Sequence, residues 1–515
     1  MRKQLQVWLP ILLCFATVAA SAQSFRVQCP TKTITHPDPT LNNSERPFAL
    51  HQANGAIKCQ QISGGDGYST MGDGTQTYMF SFGQLSGLSK IASGQPGTDF
   101  PNEFNTLPGM TLQPGDPATT VAVGPAGPVT ALDLAKFNFD GAVGLTPNLD
   151  CLAEPTNCPD TPPSGLDGHV DARQIMDIGV MNGNIPAPLM AIDEDDEFFL
   201  TLTNVGMIMR PDLFEQHTVH FHGYPNASAF YDGVPDASVA INIGASFTYY
   251  YLAPDAGTYF WHCHITPPEH LQMGMVGQIY VRPRQDRVPS SATLYSALQT
   301  QQLDLRTACN PAADILCTNP LPPANAVLGA ATVLAGGTAG YAYNDGDGST
   351  YYDVEYPIQI HGFDPNFHFV GMTFNPEGFT DMKDKYFLLN GRSYPDTVMA
   401  GPLQTQSADG AYHFSQPLPA IITMKTGQKA LLRISDLDVS EYQTLASLGI
   451  PMKVIGYNAK LLRDQAGNNM YYTTNSITLG GGESLDVILD STGVPAGTYF
   501  LYTPNLDHLS NDAEN

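Results

Sequence analysis

The run GASFTYYYLAPDAGTYFWHCH fills residues 244–264, and GESLDVILDSTGVPAGTYFLYTP fills residues 482–504. Each starts at a glycine, passes through an alternating strand, turns near a proline and resumes at Gly-Thr-Tyr-Phe. Period-two alternation bounded by Gly and Pro is a strand signal. Its recurrence in both halves of the chain marks two copies of one unit. The expected fold is therefore all-β, built from two copies of a β-sandwich. The copies differ chemically. Where the first has His262-Cys263-His264, the second has Tyr502-Thr503-Pro504, so the second has lost the metal-binding chemistry of the first.

Composition agrees with this reading. The 515 residues suffice for two or three domains. The 48 glycines and 41 prolines suit a turn-rich β protein better than a helical one. A formal net charge of -26 argues against nucleic acid and anionic membranes as partners and suits cations or basic proteins. Arg2 and Lys3, the apolar run WLPILLCFATVAA and the small residues Ala20-Ser21-Ala22 read as an export signal over residues 1–22. That run is short for a membrane span, and no other stretch is long and apolar enough. A secreted or periplasmic protein is expected.

Working outward, residues 23–74 read as a polar leader and TQTYMFSFG (75–83) as the first strand. The first domain is expected over 75–285, with a Gly/Pro-rich insertion at about 91–170, and the second over 351–515. A Pro/Ala/Gly-rich linker over 286–350 joins them. The cluster Asp193-Glu194-Asp195-Asp196-Glu197 could attract a metal-ion substrate, but reads better as a solvated turn between strands. Only 11 residues follow Pro504, and LDHLSNDAEN does not read as a strand. The last strand of the second sandwich is therefore expected from elsewhere, or from a longer chain.

Cys14 falls within the export signal. Six of the other cysteines are sequence neighbours, Cys29 with Cys59, Cys151 with Cys158 and Cys309 with Cys317, and these are expected as disulfides in an oxidising compartment. Cys263 is left over. An unpaired thiol in an exported protein needs a reason, and metal ligation supplies one.

Six of the thirteen histidines lie between positions 217 and 275. In HTVHFHG (217–223) the strand period puts His220 and His222 on one face. In His262-Cys263-His264 it puts the two histidines on one face and the thiol on the other. A thiolate, two imidazoles and a weak axial thioether are the set blue copper prefers. His217, Cys263, His270 and Met275 supply it, with Met273 as the alternative axial donor. Structural zinc would want more thiolates or a closed tetrahedral set.

HTVHFHG, GTYFWHCH and HLQMGM (270–275) resemble the multicopper oxidase family, in particular bacterial members with the type 1 copper in the first domain. FLLNGRSYPDT (387–397) resembles the start of that family's second cupredoxin domain. The resemblance implies two cupredoxin-like Greek-key sandwiches and a type 1 copper at His217, Cys263, His270 and Met275. It also implies that His220, His222, His262 and His264 form half of a trinuclear copper cluster. An electron donor, phenolic or metal ion, would be oxidised at the first site and dioxygen reduced at the second. Asp232, in FYDGVP, is a candidate proton shuttle.

The chain departs from the family pattern in its long Cys263-to-His270 spacing and in having no His-x-His among the histidines outside these motifs. A homo-oligomer or a further segment is then expected to complete the cluster. Two other readings stay open: a non-enzymatic blue-copper electron-transfer or copper-binding protein, and a copper nitrite reductase, whose His-x4-His-Gly pattern His217 and His222 satisfy.

Overall fold

The computed structural model describes residues 28–36 in part, 56–85, 97–100, 123–124, 127–128, and most of 183–287 and 339–512. The export signal, nearly all of the insertion and most of the linker lie outside the described residues, and so do the expected Cys151–Cys158 and Cys309–Cys317 pairs. No helix among the described residues is long and apolar enough to cross a membrane.

The chain is mostly strands. The first sandwich contains β1 (Ile57–Thr70), β2 (Gln76–Gln84), β3 (Met190–Asp193), β4 (Glu197–Gly206), β5 (His220–Phe221), β6 (Ser246–Leu252), β7 (Gly257–His262) and β8 (Val276–Arg282). One sheet has the order β2-β1-β4-β6 and the other β3-β8-β7-β5. Alternation builds the core between them. Phe198, Leu200 and Leu202 of β4 and Tyr249 and Tyr251 of β6 share one cluster with Trp261 of β7 and Ile279 and Val281 of β8.

The first strand is β1, inside the stretch that reads as a leader, and TQTYMFSFG forms β2 after it. β1 lies between β2 and β4, and its polar residues Gln60, Gln61, Ser63 and Asp66 are buried there. A strand buried with so many polar side chains carries no hydrophobic alternation to announce it. The Cys29–Cys59 disulfide ties the preceding chain to β1.

The acidic turn between β3 and β4 is not solvated. Glu194, Asp195, Asp196 and Glu197 are all buried. Lys58 Nζ lies 3.2 Å from Asp196, and Arg284 donates two hydrogen bonds to Asp195, at 2.5 and 2.7 Å. Tyr250 donates to Glu197 at 2.7 Å. These charges are paired inside the protein, as buried charges must be, and do not draw cations from solvent.

The second sandwich repeats the plan with β9 (Val354–Phe363), β10 (Tyr386–Leu389), β11 (Lys429–Asp436), β12 (Gln443–Leu448), β13 (Met452–Tyr457), β14 (Ser476–Leu479), β15 (Ser484–Asp490) and β16 (Phe500–Tyr502). β9 runs parallel to β11 as β1 does to β4, and β15 is antiparallel to β11 as β6 is to β4. β16 pairs with β12 as β7 pairs with β5. The repeat seen in the sequence is thus a repeat of topology. It also fixes equivalent positions. His220 faces His262 in the first sandwich, and Ala446 faces Tyr502 in the second. Leu448, opposite Phe500, stands where His222 donates its backbone N–H to Phe260 O.

Candidate metal centre

Cys263 follows β7 directly. Its backbone N–H donates to Met275 O, 3.0 Å away, just before β8. Between them the chain makes a short helix, α1 (Pro267–Met273), with Pro267 and Pro268 in its first turn and Gly274 in the left-handed conformation at its end. The helix accounts for the long Cys-to-His spacing and delivers His270 back to the thiol. His270 Nδ1 lies 3.3 Å from Cys263 Sγ, and the Met275 N–H donates to His270 O at 2.8 Å.

His217 comes from the other side of the site, held by a two-way backbone bridge to Ile241. The ligand atoms of His217, Cys263 and His270 all lie within 4.8 Å of one another, and all three residues are buried. Neither ring nitrogen of His217 has a hydrogen-bond partner among the described residues. An imidazole at 0% exposure with both nitrogens unpaired is costly unless something binds there. Among the described residues, Cys263 is the free cysteine. A Thr218 N–H points at its sulfur from 3.4 Å. Burial opposes the thiolate, but His270 and this amide prevail and hold Cys263 below its ordinary value. Burial likewise opposes charge on His270, yet Cys263 and Glu215 raise it to about 9. The donor set and its orphaned nitrogens fit a soft, thiolate-preferring ion such as copper. Met275 and Met273 are both fully buried in the same core cluster.

The neighbouring histidines form a second group. The ligand atoms of His220, His222 and His262 lie within 4.8 Å of one another. His264 joins them by ring contacts, at 5.1 Å from His220 and 5.5 Å from His262 between centroids. The structure thus brings the four imidazoles next to one another. Two of them are held in one tautomer. His220 Nδ1–H donates to Asp232 O at 2.7 Å, and His262 Nδ1–H donates to Cys263 O at 2.6 Å. A carbonyl only accepts, so each ring carries its proton on Nδ1 and presents a bare Nε2. The His262 and His222 Nε2 atoms are 2.8 Å apart. Burial keeps His262 well below its ordinary value. Burial, then His220 and His264, lower His222 to about 4. All these features suit imidazoles that bind a cation as neutral donors.

His222 and His262 open on a cavity of about 560 Å³. Its opposite wall is the second sandwich of the same chain, including Asp438, Glu441, Gly482 and Glu483. Gly482, at φ +87°, stands so close that an added Cβ would lie 3.1 Å from His222 Nδ1. The group therefore faces the chain's own second domain. Four further histidines are engaged elsewhere: His36 with Glu197, His361 with Leu271 O, His368 between Tyr78 O and Gln272 O, and His508 with Glu441.

Asp232 lies beside the group, its Oδ2 3.7 Å from His220 Nδ1. Two residues that sequence reasoning missed also touch the sites. Glu215 Oε2 is 3.5 Å from His270 Nε2, and its place two residues before His217 was the available signal. Gly64 of β1 makes room for the His217 ring, since an added Cβ would lie 2.7 Å from its Cδ2. Nothing in the sequence links those two positions.

A cupredoxin-type sandwich with a buried Cys-His-His set and an adjoining histidine group defines a class, the copper-binding β proteins. Residues 168–286 match the family model described as multicopper oxidase, a family whose members bind copper. Among curated relatives, "Laccase abr2" of Aspergillus fumigatus is 30% identical over 128 residues, 24% of this chain and 20% of its own length. "Multicopper oxidase MCE" of Talaromyces pinophilus is 33% identical over 122 residues, 23% of this chain and 19% of its own. "Copper-containing nitrite reductase" of Rhizobium meliloti is 35% identical over 109 residues, 20% of this chain and 26% of its own. The matched stretch thus spans about a fifth to a quarter of these relatives' length. Among solved structures, the Blue Copper Oxidase from Nitrosomonas europaea is 20% identical, with a TM-score of 0.41, covering 64% of this chain and 74% of that one.

Proposed function

We propose that this protein is a copper-dependent oxidoreductase of multicopper-oxidase type, oxidising a phenolic or metal-ion donor and passing the electrons to dioxygen. The observation that carries the proposal is the pairing of two histidine-bearing sets on opposite sides of one residue, Cys263. His217, Cys263, His270 and Met275 would hold a type 1 copper, and His220, His222, His262 and His264 copper of the oxygen-reducing kind. Bound copper supplies the one-electron redox chemistry that no side chain here offers. The chain does the rest. Thr218 N–H orients the sulfur, and the carbonyls of Asp232 and Cys263 fix the tautomers of His220 and His262. Peptide bonds join Cys263 to His262 and His264, so the two sets are covalently continuous. Asp232, whose carboxylate lies 3.7 Å from His220 Nδ1, would carry protons to reduced oxygen. The Cys29–Cys59 disulfide supports export to an oxidising compartment, secreted or periplasmic.

A second reading follows from Ala446, Leu448 and Tyr502. If the histidine group receives no further imidazoles, from a neighbouring subunit or elsewhere, the protein is a blue-copper electron carrier. Copper content and oxygen uptake on the purified, copper-loaded chain separate the two. Several coppers per functional unit with donor-dependent oxygen uptake support the oxidase. One copper without uptake leaves the carrier, and nitrite consumption in place of oxygen uptake would point to a reductase.

A further inference from the structure

We propose that His361 and His368 of the second sandwich are positioning residues for the candidate type 1 site, holding the end of α1 and, through it, His270 and Met275. The inference deepens the copper reading given above and rests on it. The last carbonyls of a helix lack intrahelical partners and must find donors elsewhere. In α1 the His270 carbonyl accepts from the Met275 N–H at 2.8 Å, and the Leu271 carbonyl from the Gly274 N–H at 3.0 Å. These bonds turn the chain at Gly274, φ +119°, and lead it into Met275.

The second sandwich supplies further donors. His361, on β9, donates its Nε2–H to Leu271 O at 3.2 Å. His368, on α2 (Pro365–Gly371), places Nε2 2.9 Å from Gln272 O and Nδ1 2.7 Å from Tyr78 O, so its ring bridges α1 and β2. Burial lowers His368 to about 3, so the ring is neutral and donates to one of the two carbonyls. Phe363 stacks on it at 3.7 Å between centroids. The Gln272 side chain is held at both ends. Its amide donates to Asp384 Oδ1 at 2.9 Å, and its oxygen accepts from the Asp364 N–H at 3.3 Å. His361, His368 and Gln272 are at most 1% exposed, so water does not replace these contacts.

Leu271 and Gln272 lie between His270 and Met275 in the chain. The Met275 carbonyl in turn accepts the Cys263 N–H at 3.0 Å. A shift at the end of α1 therefore reaches three of the four proposed ligands. Hydrogen bonds outside a ligand set orient the ligands and tune the metal without touching it. In a blue site the axial ligand tunes the potential, and Met275 is that ligand here. The sandwich that carries Tyr502-Thr503-Pro504 in place of the metal motif thus acts on the metal through two other histidines.

The test compares His361→Leu, His361→Gln and His368→Phe with wild type in the full chain. Ser484→Ala serves as control, since it removes a hydrogen bond to Thr258 O between the same two sandwiches without touching α1. Amide hydrogen exchange on the metal-free protein reads the loop, and copper titration with visible absorption reads the site. His361→Leu and His368→Phe should speed exchange at Gly274 and Met275 by about tenfold or more, shift or weaken the visible band and lower copper affinity by about 10–100-fold. Gln, which can still donate to Leu271 O, should recover most of the loss at position 361. Should His368→Phe fail to fold, the two His361 variants decide. Wild-type exchange, band and affinity in His361→Leu overturn the proposal. So do a Gln variant no better than Leu, and a Ser484→Ala variant as altered as His361→Leu. A copper-loaded wild type without the visible band overturns the type 1 reading and the positioning role with it. A blue wild type with unchanged variants overturns the positioning role alone.

Discussion

Ala446 stands opposite Tyr502 across β12 and β16, in the register in which His220 stands opposite His262 across β5 and β7. The backbone unit is kept in both halves while the imidazoles are kept in one. The proposed blue-copper chemistry must then depend on the first sandwich for its metal ligands. Cys263→Ser is expected to abolish the intense visible band of the copper-loaded protein, since the hydroxyl cannot replace a thiolate as a soft donor. Absorption spectroscopy with metal analysis checks this. The histidine group should keep its copper, because its four imidazoles lie on the other side of Cys263. A band that survives the substitution would place the chromophore elsewhere.

Gly64 of β1 and His217, held by its bridge to Ile241, are far apart in sequence and meet at the first site. Gly64→Ala would put a Cβ 2.7 Å from His217 Cδ2, closer than real contacts allow. The ring or the strand must shift, at a cost of about 1–3 kcal/mol. The visible band is expected to move or weaken, with a lower melting temperature and weaker copper retention. An unchanged spectrum and copper titration would mean that His217 is not held there by close packing.

The candidate metal sites were legible because their residues are few in type and close in sequence. An unpaired Cys263 between two histidines, with His270 and Met275 downstream, is a donor set whose chemistry is that of a soft metal ligand. β1 was not legible, because Gln60, Gln61, Ser63 and Asp66 are buried through pairing with neighbouring strands, which no local pattern encodes. The acidic turn misled for the same reason. Its partners Lys58 and Arg284 lie far along the chain. The cavity wall opposite His222 was also hidden, since the placement of Gly482 follows from how the two sandwiches pack.

The second sandwich carries a pH-dependent weakness at Asp436. Burial pushes its carboxyl up to about 8. One oxygen accepts from the Asp438 N–H at 3.0 Å, and the other is buried without a partner. A raised carboxyl means that the folded state holds a proton that the unfolded state gives up near its ordinary value of about 4. Stability therefore falls as pH rises from about 4 towards the folded value, by on the order of 1 kcal/mol per pH unit. Asp436→Asn removes that dependence. Its melting temperature relative to wild type should rise steadily across this window and level off above about pH 8. Thermal melts at several pH values check the slope, and a constant difference would show that Asp436 does not carry it.

Asp232 meets His220 in two ways, and they can be separated. Its backbone carbonyl accepts the His220 Nδ1–H at 2.7 Å, while its carboxylate Oδ2 lies 3.7 Å from the same nitrogen. Asp232→Asn keeps the carbonyl, so the tautomer of His220 and its bare Nε2 are retained. It removes the group able to take up and release a proton. If Asp232 supplies protons to reduced oxygen, copper content and the visible band should stay at wild-type levels while oxygen uptake falls by about tenfold or more. Asp232→Glu should recover part of the loss, because it restores a carboxylate on a longer stem. If Asp232 serves only to position His220, Asn should lose nothing and Glu, which crowds the loop, should be the worse of the two. Oxygen-electrode rates for the two variants, measured beside their copper content, decide between these roles.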